Sequence, residues 1–176
     1  MIVTILWEDQ RGGVIKGFGP QTLLEACLRD RGEIQVDKLS GVPRKGIGNL
    51  LRDLRINIGK LTNSGPVIAV IDRDRIREQL PDNPAACMQG LKEKIHLQAP
   101  GNYEVVFLVE NIESLVADCC MALGEVPPPR KLNPIERDQI LSKAAWAPPE
   151  RRLVLLSRSP SFARLVAKVA EKLGYH

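Results

Sequence analysis

The run Val67-Ile68-Ala69-Val70-Ile71, followed by Asp72-Arg73-Asp74-Arg75, constrains this chain more than any other stretch. Five apolar, mostly β-branched residues stand in a row behind the helix-breaking pair Gly65-Pro66. Such a run reads as a strand buried on both faces, the pattern of a parallel sheet with helices on either side. It then stops on two acids one residue apart. In an open α/β sheet, ligands bind outside the carboxyl ends of the strands, which is where Asp72 and Asp74 fall. Carboxylates there either cap the next turn or hold a metal. The rest of the sequence bears on that choice.

Other segments arrange themselves around this strand. Residues 2–7 predict a first hydrophobic strand that delivers Glu8 and Asp9 at its end. A glycine-rich loop reaches Pro20 and contains no phosphate-cradling GxxxxGK[ST] or GxGxxG pattern. Leu23, Leu24, Cys27 and Leu28 then mark an amphipathic helix ending near Gly32. Residues 33–39 predict a second strand, and Gly41-Val42-Pro43 with Gly46 and Gly48 predict a loop carrying Arg44 and Lys45. Ile47, Leu50, Leu51, Leu54, Ile58 and Leu61 predict a long helix with one apolar stripe. Its other face carries Arg52, Asp53, Arg55 and Lys60 and is expected to be solvated.

Beyond the central strand, Asp82-Asn83-Pro84 predicts a helix running to about Ile95. Tyr103 to Val109 predicts another buried strand ending on Glu110. Asn111 is a suitable N-cap for a helix bearing Ile112, Leu115, Val116, Cys119 and Leu123. Pro127-Pro128-Pro129-Arg130-Lys131 reads as a stiff linker. Three helices follow, begun by Asn133-Pro134, by Pro148-Pro149 and by a Ser159-Pro160-Ser161 cap. The expected architecture is therefore α/β: a mainly parallel sheet of about four strands flanked by helices over residues 1–125. A C-terminal helical extension, 126–176, is too small for a core of its own and should pack on the sheet or on a partner.

Composition removes several kinds of chemistry. Only two histidines exist, and one is the last residue, so Ser-His and Cys-His catalysis and histidine-rich zinc sites have little to work with. Cys27, Cys87, Cys119 and Cys120 show no CxxC spacing and read as buried free thiols. Aromatic residues make up 4%, too few for a base-stacking platform, while the net charge of +4 suits a polyanionic partner. No apolar run approaches the ~20 residues of a membrane span, and Met1 to Trp7 lacks a basic signal-peptide start. A cytoplasmic protein is expected.

Chemistry must then rest on carboxylates. Glu8, Asp72 with Asp74, and Glu110 all follow strands, and in a parallel sheet those strand ends share one edge. A divalent cation relieves the repulsion among such acids. Magnesium takes one or two carboxylates and keeps waters and phosphate oxygens in its other positions. Phosphodiester cleavage or transfer follows from such a site, with a second ion, if present, ~4 Å away. Glu8 would serve as ligand or general base, and Arg73, Arg75 and Lys45 would neutralise phosphate charge. The alternative is that Asp72 and Asp74 cap a turn and pair with Arg73 and Arg75 in an inert network. On that alternative, Glu113 merely answers its helix dipole.

The acid after the first strand (Glu8), the long helical insertion and the strand ending in Asp72-Arg73-Asp74 resemble a TOPRIM domain, the metal-binding module of topoisomerases, primases and OLD nucleases. Val109-Glu110-Asn111-Ile112-Glu113-Ser114-Leu115-Val116-Ala117-Asp118 resembles the small stand-alone TOPRIM-like proteins of bacteria, some found in phage-defence neighbourhoods beside ATPases. So does the tail with Lys143-Ala144-Ala145 and Ser159-Pro160-Ser161-Phe162. The resemblance implies Glu8, Asp72 and Asp74 as catalytic acids, and these with Glu113 as ligands of Mg²⁺ or Mn²⁺; Asp118 follows in the same motif. Asp9-Gln10-Arg11 intervene before Gly12 where the family has glycine directly, and Ser114-Leu115 stand where it has an aromatic.

Two functions follow as expectations. One is a magnesium- or manganese-dependent nuclease acting on DNA or RNA, with Lys45, Arg73 and Arg75 on the nucleic acid. The other is a catalytically silent TOPRIM-like subunit docked on a larger, ATPase-containing partner. Self-association is compatible with either.

Overall fold

The computed structural model describes residues 2–8, 19–32, 35–72, 103–108 and 111–175. Four parallel strands make one sheet: β1 (Val3–Trp7), β2 (Leu39–Pro43), β3 (Val67–Asp72) and β4 (Tyr103–Leu108), in the order β2-β1-β3-β4. Helix α1 (Gly19–Arg29) connects β1 to β2. A helical stretch connects β2 to β3, made of α2 (Ile47–Arg52), a π-turn (Asp53–Asn57) and α3 (Ile58–Thr62). After β4 come α4 (Ile112–Leu123), α5 (Pro134–Trp146), α6 (Pro149–Arg158) and α7 (Pro160–Lys172). The expected α/β class, with a parallel sheet flanked by helices and a helical C-terminus, is the fold observed. The expected helix over 82–95 and the glycine-rich loop before Gly19 lie outside the described residues.

Successive side chains of a strand face opposite sides of the sheet, and here each side has its own core. Val3, Ile5, Trp7, Ile68 and Val70 pack with α1, α4 and the last three helices. Leu6, Val67, Ala69 and Ile71 pack with Leu50 and Leu54. This two-sided burial is why the central strand carries no polar residue before Asp72. Helices α5, α6 and α7 contribute Leu141, Leu155, Phe162, Leu165, Val166 and Val169 to the first core. Arg152 of α6 fastens them further. Its guanidinium donates to both carboxylate oxygens of Asp30, at 2.5 and 2.7 Å, and to the carbonyls of Ala145 and Ala147.

Four expectations need correction. The second strand is Leu39–Pro43 rather than 33–39; it takes in Gly41-Val42-Pro43, which read as a loop, and Val36–Lys38 is a 3₁₀ turn. Glycine and proline misled here because β2 is an edge strand of the described sheet, a position that tolerates proline. A Cβ on Gly41 would lie 2.4 Å from Gln21 Oε1, so a larger residue there displaces the Gln21 side chain. Asp53, expected on a solvated face, is buried and paired with Arg44 at 2.5 Å. Strand β4 is half-buried because it forms the other edge of the described sheet. Ser159 holds the N-cap position of α7 without a side-chain capping bond. Asn111, by contrast, caps α4 as expected, accepting from the Ser114 N–H at 3.0 Å. Among the described residues no helix is long and apolar enough to cross a membrane.

Candidate active site

Strand order decides where a ligand can sit. β1 and β3 are neighbours, but the chain leaves β1 towards β2 on one side and leaves β3 towards β4 on the other. Connections that diverge from adjacent parallel strands leave a crevice at their carboxyl ends. Glu8 is the first residue beyond β1 and Asp72 is the last of β3. The register Trp7↔Val70 brings the two onto one rim.

Four hydrogen bonds among the described residues hold Glu8 and the residue before it. Its N–H donates to the Val70 carbonyl at 3.2 Å, its own carbonyl accepts from the Gly46 N–H at 2.7 Å, and Arg44 N–H bonds the preceding Trp7 carbonyl at 2.8 Å. Its carboxylate Oε2 accepts from the Asp72 N–H at 2.9 Å. Glu8 is buried, at 7% exposure. The contact from Gly46 depends on a turn that few residues could make. Lys45 is left-handed (φ 57°) and Gly46 lies at φ 113°, ψ 161°, a region open essentially to glycine alone.

Above this rim opens a cleft of about 810 Å³. Glu8 and Asp72 form its floor, Gly46-Ile47-Gly48 one side, and Asn111-Ile112-Glu113 at the start of α4 another. The far wall comes from the segment between α4 and α5, through Pro127, Pro128, Arg130, Lys131 and Leu132. Arg137 of α5 completes it, 9% exposed, its Nη1 donating to Glu113 Oε1 at 2.9 Å.

That wall is tied down along its length. Glu125 N–H bonds the Cys120 carbonyl at 2.8 Å and its carboxylate pairs with Lys143. Asn133 and Glu136 form a capping box at the start of α5. Glu136 also accepts two hydrogen bonds from Arg130, at 2.5 and 3.0 Å. The Arg130 guanidinium and then the Asn133 N–H hold the Glu136 carboxyl at about 2, below its ordinary 4.5. Lys131, exposed, makes no ion pair among the described residues.

The predicted residues thus separate. Glu8 and Asp72 meet on the floor. Glu113 lines the same cleft but is engaged by Arg137. Lys45 is exposed beside the cleft and does not line it. Asp118 faces a separate hollow with Asn111, Ser114 and Arg158, whose Nε lies 3.8 Å from it. Asp74, Arg73, Arg75 and Glu110 lie outside the described residues. Among those described, no three acids, cysteines or histidines are grouped to hold one metal ion. Sequence reasoning missed Arg130, Lys131 and Arg137 as cleft residues. The only signal was Asn133-Pro134 with Glu136, which marks where α5 starts but not what it faces.

Fold and rim together define an open parallel α/β protein with a carboxylate-floored cleft at its topological switch point. Comparison with protein-family models, with characterised proteins and with solved structures gives no match.

Proposed function

We propose that the chain is a divalent-metal-dependent nuclease, or a related phosphodiester-processing enzyme, of TOPRIM-like fold. The observation that carries this reading is the meeting of Glu8 and Asp72 at the switch point, with the Glu8 carboxylate 2.9 Å from the Asp72 N–H. Two carboxylates on one rim suit a hard cation such as Mg²⁺ or Mn²⁺, which completes its shell with water and phosphate oxygens. Glu8 and Asp72 would hold it, and Asp74, two residues on, belongs to the same proposal. When bound, such an ion supplies an activated water and stabilises the leaving oxygen. The clamped backbone of Glu8 keeps its carboxylate oriented, and the cleft walls restrict how a phosphodiester approaches. Action in phage defence is the setting that the family resemblance suggests.

Plasmid DNA and tRNA, each incubated with the protein and Mg²⁺ or Mn²⁺, provide the test. Cutting by the wild type and background levels with Asp72→Ala are expected. Equal activity in both proteins, or none with either metal, overturns the enzymatic reading.

One observation favours a second reading, a silent subunit docked on an ATPase-containing partner. Trp146, Leu153 and Val154 of α5 and α6 are exposed by 84%, 63% and 44%. Under this reading neither protein cuts, and Trp146→Ser abolishes co-purification of a partner that Asp72→Ala retains.

A further inference from the structure

We infer that the cleft wall from the C-terminal extension, Arg130 and Lys131 above all, is the phosphate-holding side of this site, and that its ligand is a nucleic-acid strand. The inference takes its substrate class from the reading above, but it rests on different residues.

The cleft divides by charge. Its carboxylates, Glu8, Asp72 and Glu113, come from the strand ends and the start of α4. Its cations, Arg130, Lys131 and Arg137, all come from beyond α4. One opposed pair closes, Arg137 on Glu113. Arg130 and Lys131 line the same cleft, both exposed. Arg130 is held by Glu136 through two of its nitrogens, which fixes its position without burying it. Lys131, next to it, makes no ion pair among the described residues.

A phosphodiester reacting at an acidic floor presents charge on its neighbouring phosphates as well, and these need cations at the cleft's edge. Lysine and arginine supply this kind of contact, which fixes register without reading sequence. Lys45, the one predicted phosphate contact within the described residues, stands outside the cleft, whereas Arg130 and Lys131 line it. The wall suits the task because it is pre-set: a proline run anchored by the Glu125–Lys143 pair at one end and by Glu136 at the other.

The experiment measures binding of fluorescein-labelled single-stranded DNA and RNA oligonucleotides by anisotropy, in EDTA and across a salt series. The proteins are wild type, Lys131→Glu, Arg130→Ala and Arg164→Glu, each checked for an unchanged circular dichroism spectrum. Lys131→Glu should weaken binding several-fold, and each lost contact should flatten the log–log salt slope by roughly 0.7 on a single strand. Arg164→Glu, the same charge reversal at an exposed position of α7 outside the cleft, should bind as well as wild type. Arg130→Ala also frees Glu136, so Lys131→Glu is the decisive variant. If Lys131→Glu keeps the wild-type affinity and slope, or if no oligonucleotide binds, the inference is overturned. If the wall variants lose binding while no protein cuts with any metal, the wall stands and the enzymatic reading falls.

Discussion

Glu136 carries two duties on one carboxylate, and pH separates them. It reaches back to the Asn133 N–H at 2.9 Å as Asn133's partner in the capping box, and it grips Arg130. The hydrogen bonds from Arg130 and then Asn133 lower its pKa from 4.5 to about 2. A carboxyl depressed on folding adds stability above its unfolded value and loses it as pH falls through the folded one. Glutamine at this position keeps the reach-back bond but not the charge. The melting temperature of Glu136→Gln should therefore lie below that of wild type at every pH above 4.5. The two curves should converge as pH approaches 2, and a constant gap across a pH-resolved thermal melt would show that charge is not involved. Burial acts the other way on Cys27, pushing its thiol up to about 12 and leaving it protonated at neutral pH. At this scale the sequence was legible for Glu8 and Asp72, which strand ends display openly. Arg137 was not, because its reach into the cleft depends on how α5 lies across the fold.

Helices α1 and α5 touch at backbone distance. A Cβ on Gly19 would stand 2.9 Å from Asp138 Cα and 3.0 Å from Leu141 Cβ. Neither atom can swing aside, so the helices must part or the mutant chain must strain. Overpacking of this kind costs about 1–3 kcal/mol. Gly19→Ala should lose that much in urea denaturation, with an unchanged m-value. Because Arg137 precedes Asp138, the same displacement should move the arginine that holds Glu113. Periodicity announced α1 and α4 well, since each shows apolar residues three and four apart facing one core. β2 escaped it because an edge strand half in water carries no apolar run. The π-turn at Asp53–Asn57 escaped too, because the apolar stripe continues through it; Asp53 within it is buried against Arg44.

For the molecule as a whole, the C-terminal helices are structural necessities. Leu141, Leu155, Phe162, Leu165, Val166 and Val169 are each at most 1% exposed, in one core with β1, β3 and α1. Full burial of such a side chain is worth about 1.5–3 kcal/mol. Six of them outweigh or match the 5–15 kcal/mol that separates a typical domain from its unfolded chain. A chain ended after residue 124 should therefore fail to fold, giving no cooperative melt by circular dichroism; a sharp transition would show that the sheet stands alone. The α/β class was readable from Val67–Ile71 and the strands either side of it. The contents of the cleft's far wall were not, because proline-rich segments carry no periodicity to say what they face.

The acids on the cleft floor and the bases on its wall belong to segments with separate supports, one fixed by strand register and the other by Glu125, Asn133 and Glu136. Substitution along the outer strip leaves the ladder beneath Glu8 and Asp72 untouched. On the proposed function, changes to that strip alter how a polymer is gripped and leave the acidic edge as it was.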